Sequence, residues 1–331
     1  MHPASSSSVP GRPDRRRRRL TLAAAALLGL ATAVTVLQTY RPDHSYASSR
    51  ALTVATWNMC GVQQWGCAAT GGWTLKRREL DELATRAGAR VIFLQETCAT
   101  ELESVREGLG RSWHTAFHAY ARRDTSGRTA PVRCGTPGAG TAGFAILSAY
   151  RLSAVASVSS QQPTVGVQRG ILCATVAAHD LRVCTAHLSP RHSDAAHPGW
   201  EFRDNQLKTL AAAAAARRTV YGGDLNVNPP GAANPYSWVW PSGPYSSHPE
   251  CDQSSASSRA GRSTHVSGHK FDYLFTGLST VRCTVRDTGA SDHYALLLRG
   301  RDDPGVGGLA AAQVGDDVRQ GVGDDRGGQD R

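Results

Sequence analysis

Eight polar side chains stand where strands should end, and each is of a type that binds metal or moves protons. Asn58 closes TWN, Glu96 follows the apolar run VIFLQ, and His187 ends VCTAH. Asp224 and Asn226 follow a strand through two glycines in YGGDLN, Asp272 lies inside KFDYLF, and Asp292 and His293 form SDH before the last apolar run. An ionised carboxylate beside buried strands needs a partner, because an isolated buried charge is prohibitively costly. Taken singly, the residues have plain structural readings. Asn58 suits a turn, Glu96 a helix cap, His187 a hydrogen-bonded core position, Asp224 with Asn226 an Asx turn, and Asp292 with His293 a cap or a solvated pair. Taken together and in this order, they supply what hydrolysis of a phosphoester with one or two divalent cations requires.

The elements that must carry these residues are short strands alternating with helices. Leu52 to Trp57, Val91 to Leu94, Phe144 to Leu147, Ile171 to Val176, Leu181 to His187, Val220-Tyr221, Phe271 to Phe275 and Tyr294 to Leu298 read as strands. Several are too apolar to be exposed on either face. Leu80, Leu83, Ala84 and Ala87 share one helix face, as do Leu207, Leu210, Ala211 and Ala214. The pattern predicts an α/β fold with two sheets packed face to face and helices outside. Asn228 to Gly268, rich in Pro, Gly and Ser, reads as a long irregular loop, with Trp238 and Trp240 as loop packing and His265 and His269 exposed.

The motifs WN at 57 to 58, QE at 95 to 96, AHL at 186 to 188, GGDLN at 222 to 226, KFDYLF at 270 to 275 and SDH at 291 to 293 resemble those of the endonuclease/exonuclease/phosphatase superfamily. GFAILS at 143 to 148, Arg203 and Gln206 extend the likeness over essentially all of residues 51 to 299. The resemblance implies a four-layered α/β sandwich like that of deoxyribonuclease I, with the site at one end of two packed sheets. It implies that Glu96 holds Mg²⁺, with Mn²⁺ or Ca²⁺ as alternatives, helped by Asn58 and Asp292. Asp224 then orients or deprotonates the attacking water, Asn226 and His293 contact the phosphate, and Asp272 fixes the His293 ring. His187 serves as a second cationic donor or as the acid for the leaving oxygen. In the exonuclease III-type branch a Tyr stands in the region of His187, so AHL looks more like the deoxyribonuclease I, phosphatase and sphingomyelinase branches. Deoxyribonuclease I pairs this His with an upstream Glu, and no such Glu is evident between Arg111 and Leu147.

Charge and cysteine usage narrow the setting. Of the formal net charge of +10, the first 50 residues carry +6, residues 301 to 331 carry −3, and the region between them carries +7. Arg15 to Arg19 precede an uncharged run from Leu20 to Leu37, which as a helix would span about 27 Å. This is the pattern of an export signal ending near Ser45-Tyr46-Ala47, or of a retained signal anchor, and both place the following domain outside the cytosol. Cys60, Cys67, Cys98, Cys134, Cys173, Cys184, Cys251 and Cys283 contain no CxxC pair, so four disulfides are expected rather than a zinc site. Nearness favours Cys60 with Cys67 and Cys173 with Cys184; Cys98, Cys134, Cys251 and Cys283 are paired in order.

The expected organisation is therefore an export segment at 1 to 47, a catalytic domain at 48 to 299 and a disordered Gly/Asp-rich tail at 300 to 331. The first functional reading is a monomeric, secreted or anchored nuclease acting on extracellular DNA or RNA. Arg122, Arg123, Arg128, Arg133, Arg191, Arg259 and Arg262 are candidates for phosphate contacts. The alternative is a lipid phosphodiesterase or phosphomonoesterase acting on phospholipid or inositol phosphate, for which Tyr236, Trp238, Val239, Trp240 and Tyr245 would form an exposed apolar loop. A third reading, a binding module without catalysis, is disfavoured by the complete set of polar positions.

Overall fold

Alternating burial along the strands sorts the core into three slabs, and the slabs define the layers. The structure is a computed structural model describing residues 50 to 302, apart from Ala232 and Ala256. The chain opens with β1 (Arg50–Asn58), helix α1 (Trp73–Thr85), β2 (Val91–Cys98) and helix α2 (Ala99–Leu109). β3 (His114–Ala119) runs almost directly into β4 (Ala121–Arg123), which turns back as β5 (Thr129–Pro131). β6 (Ala142–Ser148), β7 (Leu152–Val158), β8 (Gly166–Gln168), β9 (Gly170–Val176) and β10 (Leu181–His187) follow. Helix α3 (Arg203–Ala213) precedes β11 (Thr219–Asp224), and β12 (Asp272–Thr276), β13 (Ser279–Arg286) and β14 (Ala295–Asp302) complete the described chain.

One sheet has the order β13-β14-β1-β2-β6-β3, a second β12-β11-β10-β9-β7, and a small third β5-β4-β8. Val91 and Phe93 of β2 point into the slab between the large sheets with Phe144, Ile146, Leu172, Val183, Val220 and Leu274. Their neighbours Ile92 and Leu94 point the other way, against Leu80 and Leu83 of α1 and Leu102 and Val105 of α2. Leu207 and Leu210 of α3 cover the far side of the second sheet with Tyr221, Tyr273 and Phe275. The result is helix, sheet, sheet, helix: the four-layered α/β sandwich expected, with a side-chain period of two on every buried strand.

Four disulfides join Cys60 to Cys67, Cys98 to Cys134, Cys173 to Cys184 and Cys251 to Cys283. Two boundaries differ from expectation. β14 continues through Gly300, Arg301 and Asp302, which pair with Leu52, Ala51 and Arg50, so the strand runs past residue 299. The loop between β11 and β12 is irregular as expected, but Val239, Trp240 and Tyr245 are buried in the core beneath α3, and of the aromatic set only Trp238 is exposed. The expected export segment and the rest of the tail lie outside the described residues. Among the described residues no helix is long and apolar enough to cross a membrane.

The second sheet closes tightly around two glycines. A Cβ at Gly222 would lie 1.8 Å from Tyr273 O, and one at Gly223, where φ is +117°, would lie 2.1 Å from Ala186 O. Both neighbours are backbone atoms of adjacent strands and cannot swing aside. Gly223→Ala is expected to destabilise the fold by about 3 kcal/mol or more, read as a lower urea midpoint. An unchanged midpoint would mean that the strands part freely at this point.

Candidate active site

Parallel pairing brings strand ends together. β1 and β2 run parallel and place Asn58 beside Gln95; β10 and β11 run parallel and place His187 beside Asp224; antiparallel β12 places Asp272 beside Asp224. His187, Asp224 and Asp272 thus form one row across the second sheet, each at most 1% exposed. Asn58 joins that row to the first sheet, donating from Nδ2 to Glu96 Oε1 at 3.2 Å and to Asp224 Oδ2 at 3.0 Å. Glu96 reaches inward through a bulge: between Leu94 and Thr97 the register with β6 shifts by one residue, and Glu96 adopts φ +52°. The SDH segment is tied on from the other side, because Ser291 Oγ donates to Asn58 O at 2.7 Å and Trp57 Nε1 donates to His293 O at 3.2 Å.

Asp224 is the hub. His293 Nε2 lies 3.8 Å and His187 Nε2 3.5 Å from its Oδ2, while Asn226 N donates to its Oδ1 at 3.0 Å. His293 Nδ1 pairs with Asp272 Oδ2 at 2.9 Å. Burial lowers the pKa of His293, but Asp272, Asp224 and Asp292 outweigh it and raise it to about 10, so the ring is a cation at neutral pH. Burial also raises Asp224, against the opposing pull of His293 and the Asn58 hydrogen bond. Burial pushes Glu96 up to about 7 despite Arg169 and Asn58.

The other expected residues have these surroundings. Asn226 lies beyond the end of β11 with φ +52°, and its Nδ2 donates to Leu188 O at 3.0 Å. Asn58 turns its amide nitrogen to the acids, and its Oδ1 accepts from Cys60 N at 3.0 Å. Asp292 stands 3.6 Å from His265 Nε2 and accepts from Ser291 Oγ at 3.3 Å. His265, expected to be exposed, is half-buried with its ring 4.7 Å from that of His293. His187 is held far below its usual pKa by burial, Arg169 and His293, and is therefore neutral rather than cationic.

The partner of His187 is a tyrosine, not a glutamate. Tyr120 Oη lies 2.6 Å from His187 Nδ1 and accepts from Glu96 N at 3.0 Å. The cation expected at His187 is instead Arg169, whose Nε donates to His187 Nε2 at 3.2 Å and whose guanidinium lies 5.1 Å from the Trp65 ring. Trp65 also packs 5.3 Å from Tyr120, on the loop closed by Cys60 and Cys67. Behind the site, buried Lys76 donates to Met59 O at 2.8 Å, Ala290 O at 2.6 Å and Thr70 Oγ1 at 2.8 Å, joining the loops that hold Asn58 and Asp292. Burial pulls its pKa down to about 8. In the sequence, Lys76, Tyr120 and Arg169 carry no strand-end or motif signal; only a three-dimensional contact marks them.

This row of buried acid, imidazole and amide at the ends of two parallel strand pairs can be set beside known proteins. The sequence profile of the endonuclease/exonuclease/phosphatase family matches residues 55 to 293. The chain belongs to this family. It is a phosphoesterase fold: the human Nocturnin catalytic domain with bound sulfate superposes with a TM-score of 0.54 at 17% identity, covering 75% of this chain and 93% of that one. ANGEL2, a 2′,3′-cyclic phosphatase, gives 0.53 at 14% identity over 78% and 97%. A humanised D. rerio TDP2 gives 0.52 at 14% over 75% and 98%. At these identities the likeness establishes the fold alone. A search of curated proteins returns no significant match.

The family's use of a divalent cation can be tested against the donor set. Among the described residues, the hydrogen-bond partner of Glu96 Oε2 is Cys67 Sγ, at 3.4 Å, and a disulfide sulfur has no proton to donate. That leaves a hard oxygen under-satisfied beside the acid row, which fits a hard cation. Cys60 and Cys67, being joined, offer no thiolate. Asp272→Asn removes the nearest carboxylate of His293, so the His293 pKa is expected to fall from about 10 toward the ordinary histidine range. Proton-detected titration of the imidazole reads this directly; an unmoved pKa would show that Asp224 alone sets it.

Proposed function

We propose that this protein is an exported, divalent-metal-dependent phosphodiesterase whose substrate is nucleic acid. The observation that carries the reading is the Asp224 hub: one buried carboxylate touched by an amide, two imidazoles and a neighbouring acid, joined to Glu96 through Asn58 and to Arg169 through His187. Four disulfides and the N-terminal sequence pattern support export. The relationship to a 2′,3′-cyclic phosphatase of the same fold supports phosphoester chemistry.

Glu96 would hold the cation, with Mg²⁺ the first choice for an oxygen ligand and Mn²⁺ or Ca²⁺ as alternatives; when bound, it supplies positive charge for a phosphate oxygen. The chain's own groups do the rest. Asp224, kept in place by Asn58 and Asn226 N, accepts a proton from a water and aims it at phosphorus. His293, a cation locked by Asp272, and Arg169 neutralise the phosphate as charge builds on it. Neutral His187 is anchored by Tyr120 and offers no positive charge of its own.

The lipid reading loses its main support, because Val239, Trp240 and Tyr245 pack inward instead of forming an exposed loop. Purified protein should cleave plasmid DNA or RNA, but not sphingomyelin or inositol phosphates, in the presence of Mg²⁺ and not with chelator. Asp224→Asn should lower turnover by roughly a thousandfold or more without loss of the folded spectrum. Glu96→Gln should raise the Mg²⁺ concentration for half-maximal activity by roughly a hundredfold. Hydrolysis of lipid alone, or full turnover by Asp224→Asn, would overturn the reading.

A further inference from the structure

The strand that supplies Tyr120 does not stop at the site. It continues outward as β4 and pairs with β5 and β8 in a ribbon that is rooted on the core through Val132 and Val167 and exposed along β4 and β5. Its exposed residues include Arg122, Arg123 and Arg128, and Arg133 follows at its base. Asp124 is the ribbon's sole carboxylate among the described residues; it builds the turn and pairs through Oδ2 with Arg128 Nε at 3.5 Å, which leaves Arg122 and Arg123 without a neighbouring acid on the ribbon. Its Oδ1 accepts from Ser126 N at 2.9 Å, Ser126 Oγ at 2.6 Å and Arg128 N at 2.9 Å. The ribbon's root is fixed by the Cys98–Cys134 disulfide and by Gln64 Nε2 donating to Arg133 O at 2.5 Å.

Register decides which arginines face the site. Arg122 pairs with Ala130 and with Val167; extended one step inward, the same registers would set Tyr120 beside Val132 and beside Arg169. Val132 N donates to Tyr120 O at 2.9 Å, so the register holds through the junction. Tyr120, Val132 and Val167 all pack on the core between the sheets, and strand residues two apart share a face. Arg122 therefore lies on the face of Tyr120 and Arg169, and Arg128, opposite Asp124, lies one further step out on it. Arg123 points to the other face. Each step of two residues is roughly 7 Å.

We propose that this face is a binding surface for a polynucleotide strand: Arg169 meets the scissile phosphate, and Arg122 meets a phosphate farther along the same strand. The ribbon carries no large exposed apolar side chain, and its other exposed residues are Thr125, Ser126, Gly127, Thr129, Ala130 and Pro131. A row of guanidiniums on a polar ribbon suits a chain of phosphates rather than insertion into a bilayer. The proposal rests on the nucleic-acid reading given above and adds to it a direction, from the catalytic pocket outward along β4.

The same ribbon provides its own control, because Arg122→Glu and Arg123→Glu change charge equally on opposite faces. The measurement is kcat/KM of the full-length protein on plasmid DNA and on single-stranded RNA, each divided by kcat/KM on bis(4-nitrophenyl) phosphate, a diester with no neighbouring phosphate. Arg122→Glu should lower that ratio roughly tenfold and reduce the salt dependence of polynucleotide cleavage by about one unit of log–log slope; Arg123→Glu should lower the ratio less than twofold. Equal losses in the two variants would overturn the directed surface while leaving the nuclease reading intact. Hydrolysis of the small diester with no cleavage of either polynucleotide would overturn both. A larger effect of Arg122→Glu on binding to anionic phosphatidylserine vesicles than on polynucleotide cleavage would reassign the ribbon to a membrane surface.

Discussion

A carboxylate buried at the end of a central strand dictates the arrangement around it. Asp224 is 1% exposed at the end of β11, and in such a place an unpaired negative charge would cost more than the fold can absorb. The groups that answer that demand are the Asn58 amide, the backbone N–H of Asn226 and the His293 cation. These partners come from β1, the turn after β11 and the SDH segment, so the acid can be accommodated only when both sheets are in register. Catalytic geometry and core assembly are one requirement here.

The register in turn depends on small things. Gly222 and Gly223 let Tyr273 and Ala186 carbonyls approach where any side chain would collide. A single extra residue in β2 aims Glu96 at the acid row, and its left-handed backbone shows that the aim costs local strain. Gln95, next in the chain, spans the slab between the sheets, donating to Thr185 Oγ1 at 3.1 Å. Buried polar contacts of this kind fix one alignment where apolar packing alone would accept several.

Much of this was legible in the sequence wherever burial wrote itself as an apolar run. The eight strands expected from such runs all exist, and so do both expected helix faces. The strands that were not foreseen, β3, β4, β5, β7, β8 and β13, lie at sheet edges or in the small ribbon, where one or both faces meet water and no apolar run is needed. The site followed the same rule. Acids and imidazoles at strand ends stood out because burial makes them expensive, and the structure brings Asn58, Glu96, His187, Asp224, Asp272 and His293 together. Tyr120, Arg169, Lys76 and His265 were silent because a tyrosine or a lone cation between strands, a lysine in a helix or an imidazole in a loop looks the same with or without a partner across the fold.

The loop from Cys60 to Cys67 touches the site at three points: its first N–H orients Asn58, its last sulfur walls Glu96, and Trp65 supports Arg169 and Tyr120. Those eight residues hold their shape as a covalent ring. In surroundings that keep thiols reduced, the ring opens into a free segment, and the amide, the carboxylate and the guanidinium lose a common brace at once. The oxidation state of the compartment is thus built into the alignment of the pocket, which is complete only where sulfur is allowed to pair.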